Sequence, residues 1–122
     1  MEPAQIVATY GDAWNEPDAA QRAALLEDAW SDHGVYEDPM GRADGRDALV
    51  AHIGGFQQQM PGHRIDMASG VDSYGNLFRF AWVMRDATGN VALEGMDFGE
   101  FADDGRIARI TGFFGPFPPM PE

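Results

Sequence analysis

The sequence of 122 residues contains no cysteine, few basic residues and no long apolar run. Without cysteine the chain has neither a disulfide nor a thiolate metal site, and the redox compartment stays open. Eight basic residues against twenty acidic ones give a formal charge of -12, and the basic residues are scattered. Nucleic acid and anionic membrane surfaces are therefore excluded as expected partners, because both bind clustered basic residues.

Other absences narrow the class of protein further. The three histidines have no short-range spacing typical of a metal site, so no metal or cofactor is expected. The chain has no glycine-rich phosphate loop, no Ser-His-Asp arrangement and no signal-peptide pattern, which favours a soluble cytoplasmic protein. No repeat or linker divides residues 1–122, which are expected to form a single domain.

The first half of the chain is predicted to be mainly helical. Apolar residues at helical spacing indicate helices over about 3–15, after Asp18 and over 46–59. Asp18 is suited to cap the second helix, and Gln21 three residues later resembles a capping box. The buried stripe of this helix is expected to comprise Leu25, Leu26, Ala29 and Trp30. Residues 33–37 are predicted to form a short strand that leads into a turn at Pro39.

The second half changes to strand periodicity. Four strands are predicted over 64–71, 77–85, 91–101 and 107–114, with a glycine-containing turn between each strand and the next. Helices followed by an antiparallel meander indicate an α+β fold, with three N-terminal helices packed on a curved, mainly antiparallel sheet. The proline-rich tail after Phe114 either ends loosely or folds over a pocket.

Three residues are candidates for acid–base chemistry. Tyr10 lies on the apolar face of the first helix, Asp38 precedes a proline, and Asp97 lies within a predicted strand. Two carboxyls in different environments can take opposite protonation states, so one serves as base while the other donates a hydrogen bond. Each residue also has a structural alternative: Tyr10 as core packing and Asp38 as a turn residue. For Asp97 the alternative is a buried ion pair with Arg79 or Arg109.

A set of apolar residues could form the walls of a pocket around these three. His52 lies at the edge of the apolar face of the third helix, either as a pocket-lining donor or second base, or as a boundary residue facing solvent. His33 and His63 are interpreted as structural. The expected substrate-binding residues are Trp14, His52, Phe56, Phe80, Trp82, Met84 and Phe114. Such walls suit a flat, apolar or aromatic ligand.

The sequence resembles the NTF2-like superfamily, which includes SnoaL-like polyketide cyclases and ketosteroid isomerases. The resemblance rests on the order of elements, on Asp38-Pro39 after the first strand and on the ending Phe113-Phe114-Gly115. Thr9-Tyr10 and Met96-Asp97 extend it to bacterial ketosteroid isomerase in particular. The resemblance implies a cone-shaped barrel with a deep apolar pocket, and a homodimer.

The same resemblance implies roles for the candidate residues. Tyr10 and Asp97 would be hydrogen-bond donors and Asp38 the base of a cofactor-independent isomerase that moves a double bond by enolisation of an apolar carbonyl compound. The chain departs from the family at His52-Ile53, where an aromatic pair is common, and at Trp82, which is expected to narrow the pocket. Alternatives are a SnoaL-like cyclase with Asp97 as the acid–base group, a binding protein for a small hydrophobic metabolite, and a structural dimerisation module without a cavity.

Overall fold

The computed structural model describes all residues from Met1 to Glu122 as three helices and seven strands. The helices are α1 (Pro3–Trp14), α2 (Ala19–Ala29) and α3 (Arg46–Gln59). The strands are β1 (Trp30–Asp38), β2 (Gly41–Asp44), β3 (Arg64–Met67), β4 (Asp72–Tyr74), β5 (Leu77–Arg85), β6 (Val91–Phe101) and β7 (Ile107–Phe114). The expected α+β class is confirmed. No helix combines the length and the apolar character that crossing a bilayer requires.

The strands form one sheet in the order β2-β1-β7-β6-β5-β3, and β4 pairs with β5. All pairs are antiparallel except β1 with β7, which run parallel. The sheet thereby brings the first long strand beside the last one. As a result, the C-terminal end of β1 and the middle of β6 lie on either side of β7.

Alternation along β5 defines the inner face of the sheet. Phe78, Phe80, Trp82 and Met84 are all buried, whereas the residues between them are partly or fully exposed. These four side chains belong to one apolar cluster with residues of the three helices. Burial of each large apolar side chain stabilises the fold by about 1.5–3 kcal/mol. The helices therefore cover the same face of the sheet that carries the aromatic residues of β5.

The helix starts follow the capping rules, with one correction to the sequence analysis. Asp18 accepts a hydrogen bond of 3.0 Å from the backbone N–H of Ala20, as expected of an N-cap. The predicted capping box with Gln21 was wrong, because the backbone N–H of Asp18 donates to Glu16 Oε2 at 3.0 Å instead. A capping box is found instead on α1, between Glu2 and Gln5.

The assignment of Trp30 to the second helix was also wrong. Its backbone is extended, with φ −117° and ψ 128°, and it begins β1 opposite Ile107. The carbonyl of Trp30 accepts hydrogen bonds of 3.2 and 2.7 Å from the Nε and Nη2 of Arg46. The side chain is fully buried, as predicted, but it reaches the core from a strand.

The predicted strand 64–71 is shorter in the structure, whereas the three later strands and α3 have the predicted bounds. β3 ends at Met67, and the chain bends at Ser69 before β4 begins at Asp72. At the bend the Ser69 Oγ accepts a hydrogen bond of 2.8 Å from the N–H of Ala81, in the place of a backbone carbonyl. The side chain thus interrupts the backbone ladder. The short strands β2 and β4 were not predicted.

Candidate active site

A cavity of about 680 Å³ lies between α1, α3 and the inner face of the sheet. This volume is within the range of roughly 300–1,000 Å³ that small-molecule sites occupy. All ten residues predicted as catalytic or substrate-binding line this cavity: Tyr10, Trp14, Asp38, His52, Phe56, Phe80, Trp82, Met84, Asp97 and Phe114. The fold thus brings together residues that are up to 104 positions apart in the sequence.

Asp38 ends β1 and is held by three hydrogen bonds. Its Oδ1 accepts the backbone N–H groups of Met40 at 2.8 Å and Gly41 at 3.1 Å, and its Oδ2 accepts the hydroxyl of Tyr36. The turn alternative for Asp38 is therefore correct, and Asp38 also lines the cavity. These donors orient the carboxyl at the cavity wall.

Tyr36 is a site residue that the sequence analysis missed. It is buried, lines the cavity and precedes Asp38 by two positions on β1, so both side chains lie on the same face of the strand. Burial raises the pKa of Tyr36 far above its ordinary value, and Tyr10 and Asp97 add to the rise. The phenol therefore keeps its proton and donates to Asp38. The signal in the sequence was the spacing of two residues from Asp38.

Asp97 is buried in the middle of β6, directly opposite Phe80 on β5. The predicted alternative of an ion pair was wrong, because the two arginines bond to other carboxylates. Arg79 donates to Asp72 at 2.9 Å, and Arg109 donates to Glu37 at 3.2 Å. Asp97 instead accepts a hydrogen bond of 2.9 Å at Oδ1 from the indole N–H of Trp82.

The environment of Asp97 sets its protonation. Burial raises its pKa to about 7; the hydrogen bond from Trp82 opposes the rise and the charge of Asp38 adds to it. Near neutral pH Asp97 is therefore present both as an acid that can donate and as a carboxylate that can accept. This is the property required of a residue that exchanges protons with a ligand.

Gly112 on β7 lies between the two acids. A Cβ atom at this position would lie 2.9 Å from Asp97 Oδ1 and 3.4 Å from Asp38 Cβ. Both acids thus border the same empty volume, and no side chain separates them. A glycine within a strand permits this close approach.

Tyr10 enters the cavity from α1. It is buried, and its ring stacks on that of Trp30 with 5.5 Å between the centroids. Burial raises the pKa of the Tyr10 hydroxyl well above its ordinary value; Asp97 adds to the rise, and the indole N–H of Trp14 opposes it. The phenol remains protonated at neutral pH and is available as a donor.

Aromatic rings from α1, α3 and β1 build one wall of the cavity. His52 lies 5.2 Å from the ring of Tyr36 and 6.0 Å from that of Trp14, while Phe56 lies 5.6 Å from Trp14. His52 lines the cavity rather than facing solvent, and its role as a donor or second base stays a prediction. The planes of these rings meet at angles of 86°, 69° and 47°, so the rings pack edge-on or tilted rather than face to face.

The rim of the cavity carries polar residues that the sequence analysis did not identify. They are Asp12, Asn15, Gln59, Arg64 and Asp66. Arg64 pairs with Asp66 at 2.9 Å. His33, His63 and the residues after Phe114 do not line the cavity, and Phe117 is 92% exposed. No group of three or more His, Asp or Glu side chains is arranged to hold a metal ion.

A family model described as a SnoaL-like domain matches residues 7–110. The chain therefore belongs to the SnoaL-like family, whose fold it shares with NTF2-like proteins. An NTF2-like protein of unknown function from Cytophaga hutchinsonii, 13% identical, superposes with a TM-score of 0.70 over 95% of this chain and 92% of that one. No curated protein has significant sequence similarity to the chain.

Two further solved structures resemble this one. A SnoaL-like family protein from Agrobacterium tumefaciens, provisionally named an isomerase, is 32% identical over 95% of this chain and 100% of its own, with a TM-score of 0.89. A protein from Sinorhizobium meliloti, provisionally named a polyketide cyclase, is 18% identical with a TM-score of 0.70, over 88% of this chain and 93% of its own. The second likeness concerns the fold alone.

Proposed function

We propose that this protein is an isomerase that moves a double bond next to the carbonyl group of an apolar substrate by enolisation. The observation that carries the proposal is the pair of carboxyls on one cavity, in different environments. Asp38 is held by three donors, whereas Asp97 is buried with a single donor and no cation beside it. This difference is what acid and base roles for two residues of the same type require.

In the proposed reaction, the carboxylate of Asp38 takes a proton from the carbon next to the carbonyl group. The electron pair of the broken C–H bond forms a carbon–carbon double bond, and the carbonyl oxygen gains negative charge. Tyr10 and protonated Asp97 donate hydrogen bonds to that oxygen, and each such donor is worth about 3–4 kcal/mol in comparable sites. Asp38 then returns the proton to a different carbon, which completes the shift of the double bond.

The lining of the cavity favours a neutral, flat substrate. Its walls are aromatic and methionine side chains, which bind apolar surface. Four carboxyls line the cavity, and Arg64, the one arginine or lysine there, is paired with Asp66. An anionic substrate would meet these acids without a free cation to bind it. We therefore expect neutral ketones or enones rather than carboxylic acids.

A SnoaL-like cyclase is the second candidate. Ring closure by carbon–carbon bond formation also needs an enolate and an acid–base group. The cyclase function is favoured by the pKa of about 7 for Asp97, because a group with this pKa can transfer a proton in either direction at neutral pH. In that reading Asp97 is the acid–base residue and Asp38 is auxiliary.

A binding protein of the same fold is a third reading. The structural module without a cavity does not fit the volume between α1, α3 and the sheet.

Exchange of carbon-bound hydrogen in D₂O tests the proposal without knowledge of the product. A panel of neutral cyclic ketones and enones would be incubated with the protein and followed by proton NMR. We expect exchange next to the carbonyl group with wild type, and its loss in Asp38→Asn. Asp72→Asn is the matched control, since Asp72 is exposed on the outer face and pairs with Arg79.

The outcomes separate the three readings. Loss of exchange in Asp97→Asn with retention in Asp38→Asn would favour the cyclase. Ligand binding without exchange in wild type would favour the binding protein. Exchange that is unaffected by either substitution would contradict both catalytic readings.

We also propose a homodimer, which the family resemblance implies. Phe98 and Phe113 lie on the face of the sheet opposite the cavity, with their rings 6.0 Å apart, and are 41% and 59% exposed. Light scattering should give twice the chain mass of 13.3 kDa. The mass of a single chain at all concentrations would contradict this proposal.

A further inference from the structure

Trp82 is held in a slot that the neighbouring strand leaves open. Gly95 on β6 is its directly opposed partner, and a Cβ at Gly95 would lie only 2.0 Å from Cζ2 of the indole. The ring therefore occupies the volume that a side chain at position 95 would fill. Phe114 packs edge-on against it, with centroids 5.8 Å apart and planes at 90°. The indole therefore packs against the sheet at Gly95 and also lines the cavity. That Trp82 narrows the pocket stays a prediction.

From this slot the indole N–H reaches Asp97 Oδ1 at 2.9 Å. Both residues are buried, so water does not compete strongly for the bond. An indole N–H is a donor only, which means that Oδ1 acts as an acceptor in either protonation state of Asp97. Asp97 Oδ2 has no partner within the protein, and it is not among the atoms sealed from solvent without one. It is therefore the oxygen open to the cavity.

We infer that Trp82 is a positioning residue that keeps Asp97 Oδ1 as the acceptor and leaves Oδ2 as the oxygen that carries the exchangeable proton. The catalytic meaning of this inference rests on the proposed function, in which Asp97 donates to the substrate oxygen. Without the indole N–H, the proton could reside on either oxygen. The acid would then present its donor to the cavity in only part of the molecules.

The groups that face Asp97 support this role for Trp82. Asp38 and Tyr36 approach from β1, Tyr10 from α1 and His52 from the α3 side of the same cavity. Of these, only Asp38 disfavours an ionised Asp97 by its charge, because the two tyrosines keep their protons and are neutral. The arginines of β5 and β7 bond to carboxylates on the outer face. Trp82 is thus the one group that donates a hydrogen bond to Asp97 in the structure.

The test is a pH titration of the free protein labelled with ¹³C at the aspartate carboxyl carbons. Trp82→Phe removes the N–H and retains a flat ring over Gly95. We expect the titration midpoint of Asp97 to rise by about one pH unit, because a bond that favours the carboxylate is lost. Met84→Leu is the matched control: it changes a residue on the same face of the same strand and removes no hydrogen bond to Asp97. An unchanged midpoint in Trp82→Phe would overturn the inference.

Wild-type protein provides a second measurement that needs no folded variant. Among the three indole N–H signals, that of Trp82 should shift with the midpoint of Asp97 in a ¹⁵N-resolved titration, whereas the signals of Trp14 and Trp30 should not follow it to the same extent. A Trp82 signal that is insensitive to the Asp97 titration would also overturn the inference. Both measurements need no substrate, so an inactive protein could still support the inference. Conversely, if wild type were active and the Asp97 midpoint were unchanged in Trp82→Phe, the inference would be contradicted and the proposed function would not.

Discussion

Asp38 on β1 and Asp97 on β6 are separated by one strand, and the residue between them on that strand is Gly112. An ideal Cβ at Gly112 would lie within 3.4 Å of a side-chain atom of each acid. Because β1 pairs in parallel with β7 and β6 pairs with its other edge, two residues 59 positions apart border the same volume. A carbonyl compound in that volume would contact a carboxyl on each side.

Gly112→Ala should impair the site and leave the protein folded. The new Cβ would lie 2.9 Å from Asp97 Oδ1, closer than a real contact allows, so the carboxyl must move away from its position beside Trp82. We expect about a tenfold loss of ligand affinity or turnover, since small displacements of reacting groups are costly. The free energy of unfolding should fall by only about 1–3 kcal/mol.

The control for that variant is Gly70→Ala, where an added Cβ would meet nothing within 4 Å. Calorimetric ligand titration and urea unfolding would be measured on both variants. Equal effects of the two substitutions would contradict the role assigned to Gly112.

Asp97→Asn should stabilise the protein at alkaline pH. In the folded state Asp97 holds its proton up to a pH of about 7, whereas the unfolded chain releases it near the ordinary value of 3.8. The stability linked to this proton is fully present below about pH 4 and is lost as the pH rises to about 7. Above pH 7 the wild type therefore pays for a buried charge that Asn does not carry.

Urea unfolding at pH 4.0 and pH 8.0, chosen as roughly the two ends of that interval, measures this effect. From pH 4.0 to pH 8.0, the free energy of unfolding of the variant should rise relative to that of wild type by on the order of 2–4 kcal/mol. A constant difference between variant and wild type would mean that Asp97 titrates alike in the folded and unfolded states.

Tyr36→Phe should reduce turnover by about tenfold to a hundredfold, because Asp38 loses a hydrogen bond to a charged group worth about 1.5–3 kcal/mol. The Tyr36 hydroxyl donates to the Asp38 oxygen Oδ2, while the backbone bonds of Met40 and Gly41 to Oδ1 remain. We expect the loss mainly in kcat, since the phenyl ring keeps the cavity wall intact. Tyr74→Phe is the control, because Tyr74 is 77% exposed and lies outside the cavity. Equal kinetics of Tyr36→Phe and wild type would show that Asp38 needs no support from Tyr36.

Much of the fold could be predicted from local patterns. The bounds of β5, β6 and β7 follow from strand-like runs between glycine turns, and those of α3 from its apolar stripe. Among these strands only β5 alternates regularly between buried and exposed residues. Trp30 could not be placed in the same way, because it stands four residues after Leu26 and continues the helical spacing. Its side chain is buried whether it ends a helix or begins a strand, so the pattern alone does not distinguish the two.

The sequence could predict which residues form the candidate site, but not the hydrogen bonds between them. All ten predicted residues line the cavity. They could be predicted because the family resemblance implied that they face one pocket. The bonds between them depend on strand register, which the sequence does not display. Trp82 reaches Asp97 only because Gly95 leaves its volume empty, and the two arginines are excluded only because alternation turns them to the outer face. Polar residues of the rim come from separate elements and share no spacing.

The most direct test of the central claim is a fluorescence titration with 2-naphthol, whose aromatic oxygen mimics a bound enolate. The claim is that Tyr10 and Asp97 bind the substrate oxygen while Asp38 only moves the proton. It predicts micromolar binding by wild type, affinity about tenfold weaker in Tyr10→Phe, and affinity retained in Asp38→Asn. Absence of binding by wild type, or equal affinity in wild type and Tyr10→Phe, would contradict the account.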